Sequence, residues 1–186
     1  MSETPQADAI VLFGGTGDLA RRMLLASLYF LDADGFLPEG FRILATARSD
    51  MTREAFLELT HKTLSDRPEG INAEVWPRFA ARINYVGADA TTVEGATRLK
   101  LALEGAKRPF FYLAISPSLY ERVCAALAAA GLATDETRIV LEKPIGRDLE
   151  TSRHINTALG AIFDETQIFR IDHYRSEEHT SELQSQ

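Results

Sequence analysis

Six short apolar runs alternate with stretches of helical spacing, and no other feature of this sequence constrains its fold as strongly. The runs are Ala9–Phe13, Phe41–Ala47, Ile83–Ala88, Pro109–Ile115, Arg138–Glu142 and Gln167–Ile171. Their near-continuous hydrophobicity, without the in-out alternation of a half-wet strand, is that of strands covered on both faces. Between them, helices are expected after the first run, from about Thr52 to Leu64, around Val93 to Leu103, from Pro117 to about Ala130, and from about Leu149 to Phe163. In the first helix Leu19, Met23, Leu24, Ser27, Leu28 and Leu31 recur at helical spacing until Gly35 ends the pattern, which predicts the face it buries. Strand and helix in turn predict a doubly wound, Rossmann-like α/β fold, with a parallel sheet and helices on both faces. In such a sheet function sits at the carboxyl ends of the strands.

The first of those ends reads Phe-Gly-Gly-Thr-Gly-Asp-Leu-Ala. Read from Gly15 it is G-x-G-x-x-A: Gly15 permits the tight turn, Gly17 lets the backbone approach a pyrophosphate, and Ala20 lets the helix pack closely on the strand. The amides that open the helix would then receive the anion, helped by the helix dipole. The end of the second run decides which nicotinamide coenzyme suits the site. An NAD site usually has an acid there for the ribose 2′-hydroxyl, whereas this chain has Ala47-Arg48-Ser49. Arg48 offers a planar, permanently charged donor set to a 2′-phosphate, and the expected cofactor is NADP. Further on, Ala114 to Ser116 is a small-residue turn where the nicotinamide would lie, and Lys143 is held before Pro144 at the mouth of the pocket, able to meet a phosphate or a sugar hydroxyl. A plain strand-to-helix turn and an exposed lysine account for these last two about as well.

Charge and cysteine content exclude several function classes. Lys and Arg total 20 against 27 Asp and Glu, a net charge of −7, so no nucleic-acid partner is expected and any phosphate recognition must be local. A single cysteine, Cys124, allows no intrachain disulfide; there is no secretory pattern at the start and no apolar run of membrane-spanning length. The expectation is a cytoplasmic protein with no membrane partner and no metal site.

In order and spacing, FGGTGDLA, ATARS, YLAISPSLY, EKPIG and FRIDHY resemble the N-terminal coenzyme domain of the glucose-6-phosphate dehydrogenase family, over Ile10 to Tyr174. The glucose-fructose oxidoreductase-like group, another set of NADP-dependent sugar oxidoreductases, shares the Glu-Lys-Pro turn but not the Arg-Ile-Asp-His-Tyr segment. The resemblance implies that Gly15, Thr16, Gly17, Asp18 and Leu19 line the pyrophosphate, Arg48 the 2′-phosphate, Asp89 the cofactor side, and Lys143 both cofactor and substrate. It implies that His173 and Tyr174 hold the substrate phosphate while Asp172 orients a catalytic histidine. The complete product would oxidise glucose 6-phosphate to 6-phosphogluconolactone with NADP as hydride acceptor, as a homo-oligomer. That histidine belongs to a following antiparallel β-sheet domain with no counterpart in these residues, so the chain by itself is expected to hold NADP without turnover. Two departures stand out: Met23 and Glu177 occupy positions where the family usually has substrate-side lysines.

Domain bounds are expected at 1–8 for a disordered start, 9–174 for the coenzyme domain and 175–186 for a tail. Arg175 to Ser185 coincide with the in-frame translation of a common sequencing-library adapter, so the tail is expected to be non-native and disordered, and Glu177, Glu178 and His179 are not read as a metal site.

Overall fold

The structure, a computed structural model, describes residues 6–172. His173, Tyr174 and the 175–186 tail lie outside the described residues, as do positions 1–5.

Six strands form one parallel sheet: β1 (Ala9–Phe13), β2 (Arg42–Ala47), β3 (Ile83–Gly87), β4 (Pro109–Leu113), β5 (Arg138–Glu142) and β6 (Ile168–Ile171), in the order β3-β2-β1-β4-β5-β6. Every residue of β1 is buried, which is why it reads as pure hydrophobe: it is central, and helices cover both of its faces. Val11 and Phe13 point into a core with α4 (Val93–Ala102), α5 (Tyr120–Ala129) and α6 (Leu149–Gly160), where Phe13 meets Phe111 edge-on at 5.9 Å. Ile10 and Leu12 point the other way, into a core with α1 (Leu25–Ala33), α2 (Arg53–Ser65) and α3 (Val75–Arg82). Thr52, Thr92 and Asp148 cap α2, α4 and α6, each accepting from a backbone N–H of the first turn. The sheet is the doubly wound arrangement expected from the sequence.

Three details differ from expectation. The first helix does not bury the predicted face. It opens with a π-helical segment, Ala20–Leu24, in which the Leu25 N–H bonds to the Ala20 carbonyl. That wide turn inserts one residue into the period. From buried Ala20 onward, the face predicted at Leu24, Ser27, Leu28 and Leu31 becomes Leu25, Leu28, Tyr29 and Asp32, leaving Met23 and Leu31 substantially exposed at 51% and 42%. Secondly, α3 was not expected. Pro77 interrupts its sequence, but it falls in the first turn, where no N–H is needed, and the helix drives Phe79 against Tyr29 at 5.3 Å. Its Arg78 and Arg82 both reach back to Asp32, which is 1% exposed, with Nε to carboxylate distances of 3.1 and 2.9 Å. Thirdly, order begins before residue 9: the Asp8 carboxylate accepts the Lys107 and Arg108 amides at 2.6 and 2.9 Å, tying the chain to the start of β4.

Candidate functional site

The strand order reverses direction between β1 and β4, and the crevice at that point is where such sheets bind ligands. A cleft of about 560 Å³ opens there, between the turn after β1, the ends of β2 and β3, and the start of α5.

The glycine turn performs a different division of labour from the one read in the sequence. Gly14, not Gly15, takes the left-handed conformation, with φ +74, and a Cβ on it would lie 2.3 Å from the Ala114 carbonyl oxygen of the neighbouring strand end. Gly15 is buried against β2; a Cβ there would sit 2.8 Å from that of Ala45, and its N–H bonds to the Thr46 carbonyl at 2.9 Å. The Gly17 amide is likewise spent, on the Gly14 carbonyl at 2.8 Å. The amides of Thr16, Asp18 and Leu19 have no acceptor among the described residues, so these are the donors left for an anion. Thr16 and Gly17 line the cleft, Gly15 supports it from behind, and buried Ala20 lets the helix close on the sheet. Asp18 presents a carboxylate that would repel a phosphate, but that group is taken by Arg21 at 3.0 Å and Arg22 at 3.4 Å, leaving its amide to the turn. The donor set therefore fits a pyrophosphate: uncommitted amides at a helix start, and glycine where a side chain would intrude.

At the other end of the cleft Arg48 stands exposed after β2, and Asp89 follows β3. The Asp89 Oδ1 accepts from the Thr91 hydroxyl at 2.7 Å and the Thr91 amide at 3.0 Å. Those bonds, with Arg48 and Arg122 nearby, hold its carboxyl below the usual carboxylate range. Arg122, in the first turn of α5, also lines the cleft and donates to the Thr91 hydroxyl at 3.1 Å. Sequence reading missed it, because nothing local links it to a loop 31 positions earlier.

Lys143 and Asp172 lie outside this cleft, at the ends of β5 and β6. Their side chains meet, Nζ to Oδ2, at 2.9 Å, while the Lys143 amide bonds to the Ile171 carbonyl, so the two strand ends are fastened together. Next to them the Tyr112 hydroxyl donates to the Glu142 carboxylate at 2.7 Å, and burial pushes the Tyr112 phenol well above its ordinary range. A second hollow of about 700 Å³ runs from Ser116 past Pro144 to α6. Of the two described histidines, His61 packs edge-on to Trp76, and His154 pairs with Glu121 at 3.0 Å and lines the second hollow. Cys124 is buried in the core, its thiol pushed up to about 12 by burial, which removes it as a nucleophile. Among the described residues no cluster of three metal-ligating side chains occurs, and no helix is long and apolar enough to cross a membrane.

Comparison with known proteins places this geometry. The family described as glucose-6-phosphate dehydrogenase, NAD binding domain, matches residues 11–181. The glucose-6-phosphate 1-dehydrogenase of Mycolicibacterium smegmatis is 40% identical over 93% of this chain and 37% of its own length. The crystal structure of glucose-6-phosphate 1-dehydrogenase from Mycobacterium avium superposes with a TM-score of 0.83 at 36% identity, covering 90% of this chain and 36% of that one. A glucose-6-phosphate dehydrogenase in complex with glucose 6-phosphate superposes with a TM-score of 0.82 at 30% identity, over 92% of this chain and 38% of that one. The chain thus spans well under half the length of these relatives, and it belongs to the glucose-6-phosphate dehydrogenase family as that family's N-terminal dinucleotide-binding domain.

Proposed function

We propose that this chain holds NADP for the oxidation of glucose 6-phosphate, in a protein that carries out the dehydrogenase reaction of its relatives. The observation that carries the coenzyme assignment is Arg48: a guanidinium, not a carboxylate, ends β2 at the mouth of a cleft whose other end is a turn of uncommitted amides. A 2′-phosphate finds a charge-assisted partner there and a ribose 2′-hydroxyl finds no acceptor from β2. Replacing Arg48 with Ala should weaken NADP binding by about 1.5–3 kcal/mol and leave NAD nearly unchanged. Calorimetric titration of both coenzymes decides it, and an equal loss for both would sink the assignment.

The chemistry that bound NADP would supply is acceptance of a hydride, here from the C1 carbon of the sugar. This chain's residues would orient the two partners. Thr16, Asp18 and Leu19 would hold the pyrophosphate through their amides, with Gly17 allowing the close approach and Gly15 seating the turn against β2 behind it. Lys143 gives one N–H to Asp172 and keeps the rest of its ammonium for a substrate hydroxyl or phosphate. By family resemblance Asp172 would orient the histidine base, and His173 and Tyr174 would take the substrate phosphate. The resemblance gives that base to a domain beyond these residues, and of the described histidines His61 packs on Trp76 and His154 is paired with Glu121, so for these residues alone we propose a coenzyme-binding unit without turnover. The 186-residue chain should bind NADP yet show no reduction of it with glucose 6-phosphate, since a positioned base alone is worth about 10² to 10⁴ in rate. Turnover at an ordinary enzymatic rate would refute this. A cytoplasmic setting and absence of nucleic-acid partners remain part of the proposal, supported by the one buried cysteine and the acidic charge balance, and homo-oligomeric assembly of the complete protein is proposed from the family resemblance alone.

A further inference from the structure

The adenosine end of the cleft holds three charges on three separate elements. Arg48 follows β2, Asp89 follows β3 and Arg122 projects from α5, and all three line the same space. The Asp89 Oδ1 is occupied by both Thr91 bonds, and the Thr91 hydroxyl in turn accepts from Arg122. Asp89, Thr91 and Arg122 are thus one connected unit. It uses one nitrogen of the Arg122 guanidinium and leaves the remainder of its fork uncommitted among the described residues.

This arrangement poses an electrostatic problem for the coenzyme assigned above. A phosphate monoester brings nearly two negative charges at neutral pH. Arg48 and Asp89 alone would present a corner of zero net charge, with a fully ionised carboxylate beside the incoming phosphate. Arg122 makes the corner net positive. We propose that Arg122 is a specificity-determining residue of the coenzyme site: it supplies, from a different element than Arg48, the positive charge that offsets Asp89 and lets the cleft accept a 2′-phosphorylated adenosine. The inference rests on the NADP reading above and extends it to a side chain on a different element.

The test uses the 186-residue chain and two probes, 2′,5′-ADP and 5′-ADP, titrated by calorimetry, with a thermal melt of each variant to establish folding. If the wild-type chain prefers 2′,5′-ADP and Arg48→Ala abolishes that preference, the NADP reading stands and the Arg122 variants decide this inference alone. Arg122→Gln should then weaken 2′,5′-ADP by about tenfold or more and 5′-ADP by less than about threefold, as expected for loss of a charge-assisted contact. Arg122→Lys, which keeps the charge, should retain most of the affinity. Asp89→Asn, which keeps the Oδ1 acceptor for Thr91, should move 2′,5′-ADP in the opposite direction and restore much of what Arg122→Gln loses. Equal losses for both probes, a Lys variant as weak as Gln, or Asp89→Asn weakening 2′,5′-ADP would overturn the proposal and leave Arg122 as a brace for the loop after β3. A wild-type chain with no preference between the probes would remove the NADP reading and this inference with it.

Discussion

Adding a single methyl group at Gly14 tests whether the turn after β1 is built as described. Two costs are separable. An L-residue at φ +74 costs about 1–2 kcal/mol, because Cβ crowds the following carbonyl. The new Cβ would also lie 2.3 Å from the Ala114 carbonyl oxygen, a backbone atom at the end of β4 that cannot rotate aside. Relieving that overlap means parting the β1 and β4 ends by roughly an ångström, and overpacking of this kind typically costs about 1–3 kcal/mol. Gly14→Ala should therefore lose about 2–5 kcal/mol, a large share of the 5–15 kcal/mol of a typical domain. Gly35 is the internal control: its φ is +76, but nothing lies within 4 Å of a Cβ built on it. Gly35→Ala should show only the conformational cost, partly offset by the stiffer unfolded chain, a net of about 1 kcal/mol. Urea unfolding of the two variants reads the difference as a shift in midpoint at unchanged slope. Titration with 2′,5′-ADP adds a second readout, since the parted strand ends form one side of the cleft. If Gly14→Ala proves as mild as Gly35→Ala, the contact with Ala114 does not constrain the turn and the account of it is wrong.

Asp32→Ala should cost about 3–5 kcal/mol, because Arg82, whose side chain is only 13% exposed, loses its carboxylate in a desolvated site. Arg78→Ala should cost about 1 kcal/mol or less, since its guanidinium is half exposed; chemical denaturation of both variants checks the contrast, and equal losses would contradict it. Stability should also fall at alkaline pH. The Cys124 thiol titrates from 9.0 in the unfolded chain to about 12 when buried, so the unfolded state loses its proton first. Below pH 9 this contributes no pH dependence, and from there to about pH 12 stability drops by about 1.4 kcal/mol per unit. The raised phenols of Tyr85, Tyr112 and Tyr120 act in the same direction at higher pH. Denaturant melts from pH 8 to 11 on the wild type and Cys124→Ala isolate the cysteine share, and parallel curves would refute it. Iodoacetamide at pH 8 should leave Cys124 unmodified in the folded chain and label it rapidly in urea.

The strands were legible because a central parallel strand leaves its residues no wet face to encode. Ile10, Val11, Leu12 and Phe13 must all be apolar, and such a run bounded by glycine has few other readings. The phase of the first helix was not legible, since a π turn is a hydrogen-bond choice with no composition of its own: the same leucines fit either period, and only Tyr29 and Asp32 distinguish them. Asp32 in particular reads as a solvated acid until two arginines from α3 meet it 46 and 50 positions later. That helix was hidden in turn by Pro77, whose effect depends on whether it falls in the first turn or later, a question that sequence periodicity alone does not answer over eight residues.

The site divides along the same line, between groups whose role follows from position in the chain and groups whose role follows from what stands opposite. Arg48 belongs to the first kind, since the end of β2 is a fixed address in this topology. Gly14 and Gly15 look interchangeable in sequence and are not: one faces β4 and needs the left-handed conformation, the other faces β2 and needs the absence of a side chain. Asp18 belongs wholly to the second kind. An acid in a turn proposed to bind an anion argues against that role until its carboxylate is seen on Arg21 and Arg22, one helical turn along, with its amide uncommitted among the described residues. The sign of a side chain is therefore insufficient evidence for or against a phosphate here. The backbone donors left without acceptors among the described residues, and the pairing of each nearby charge, have to be weighed with it.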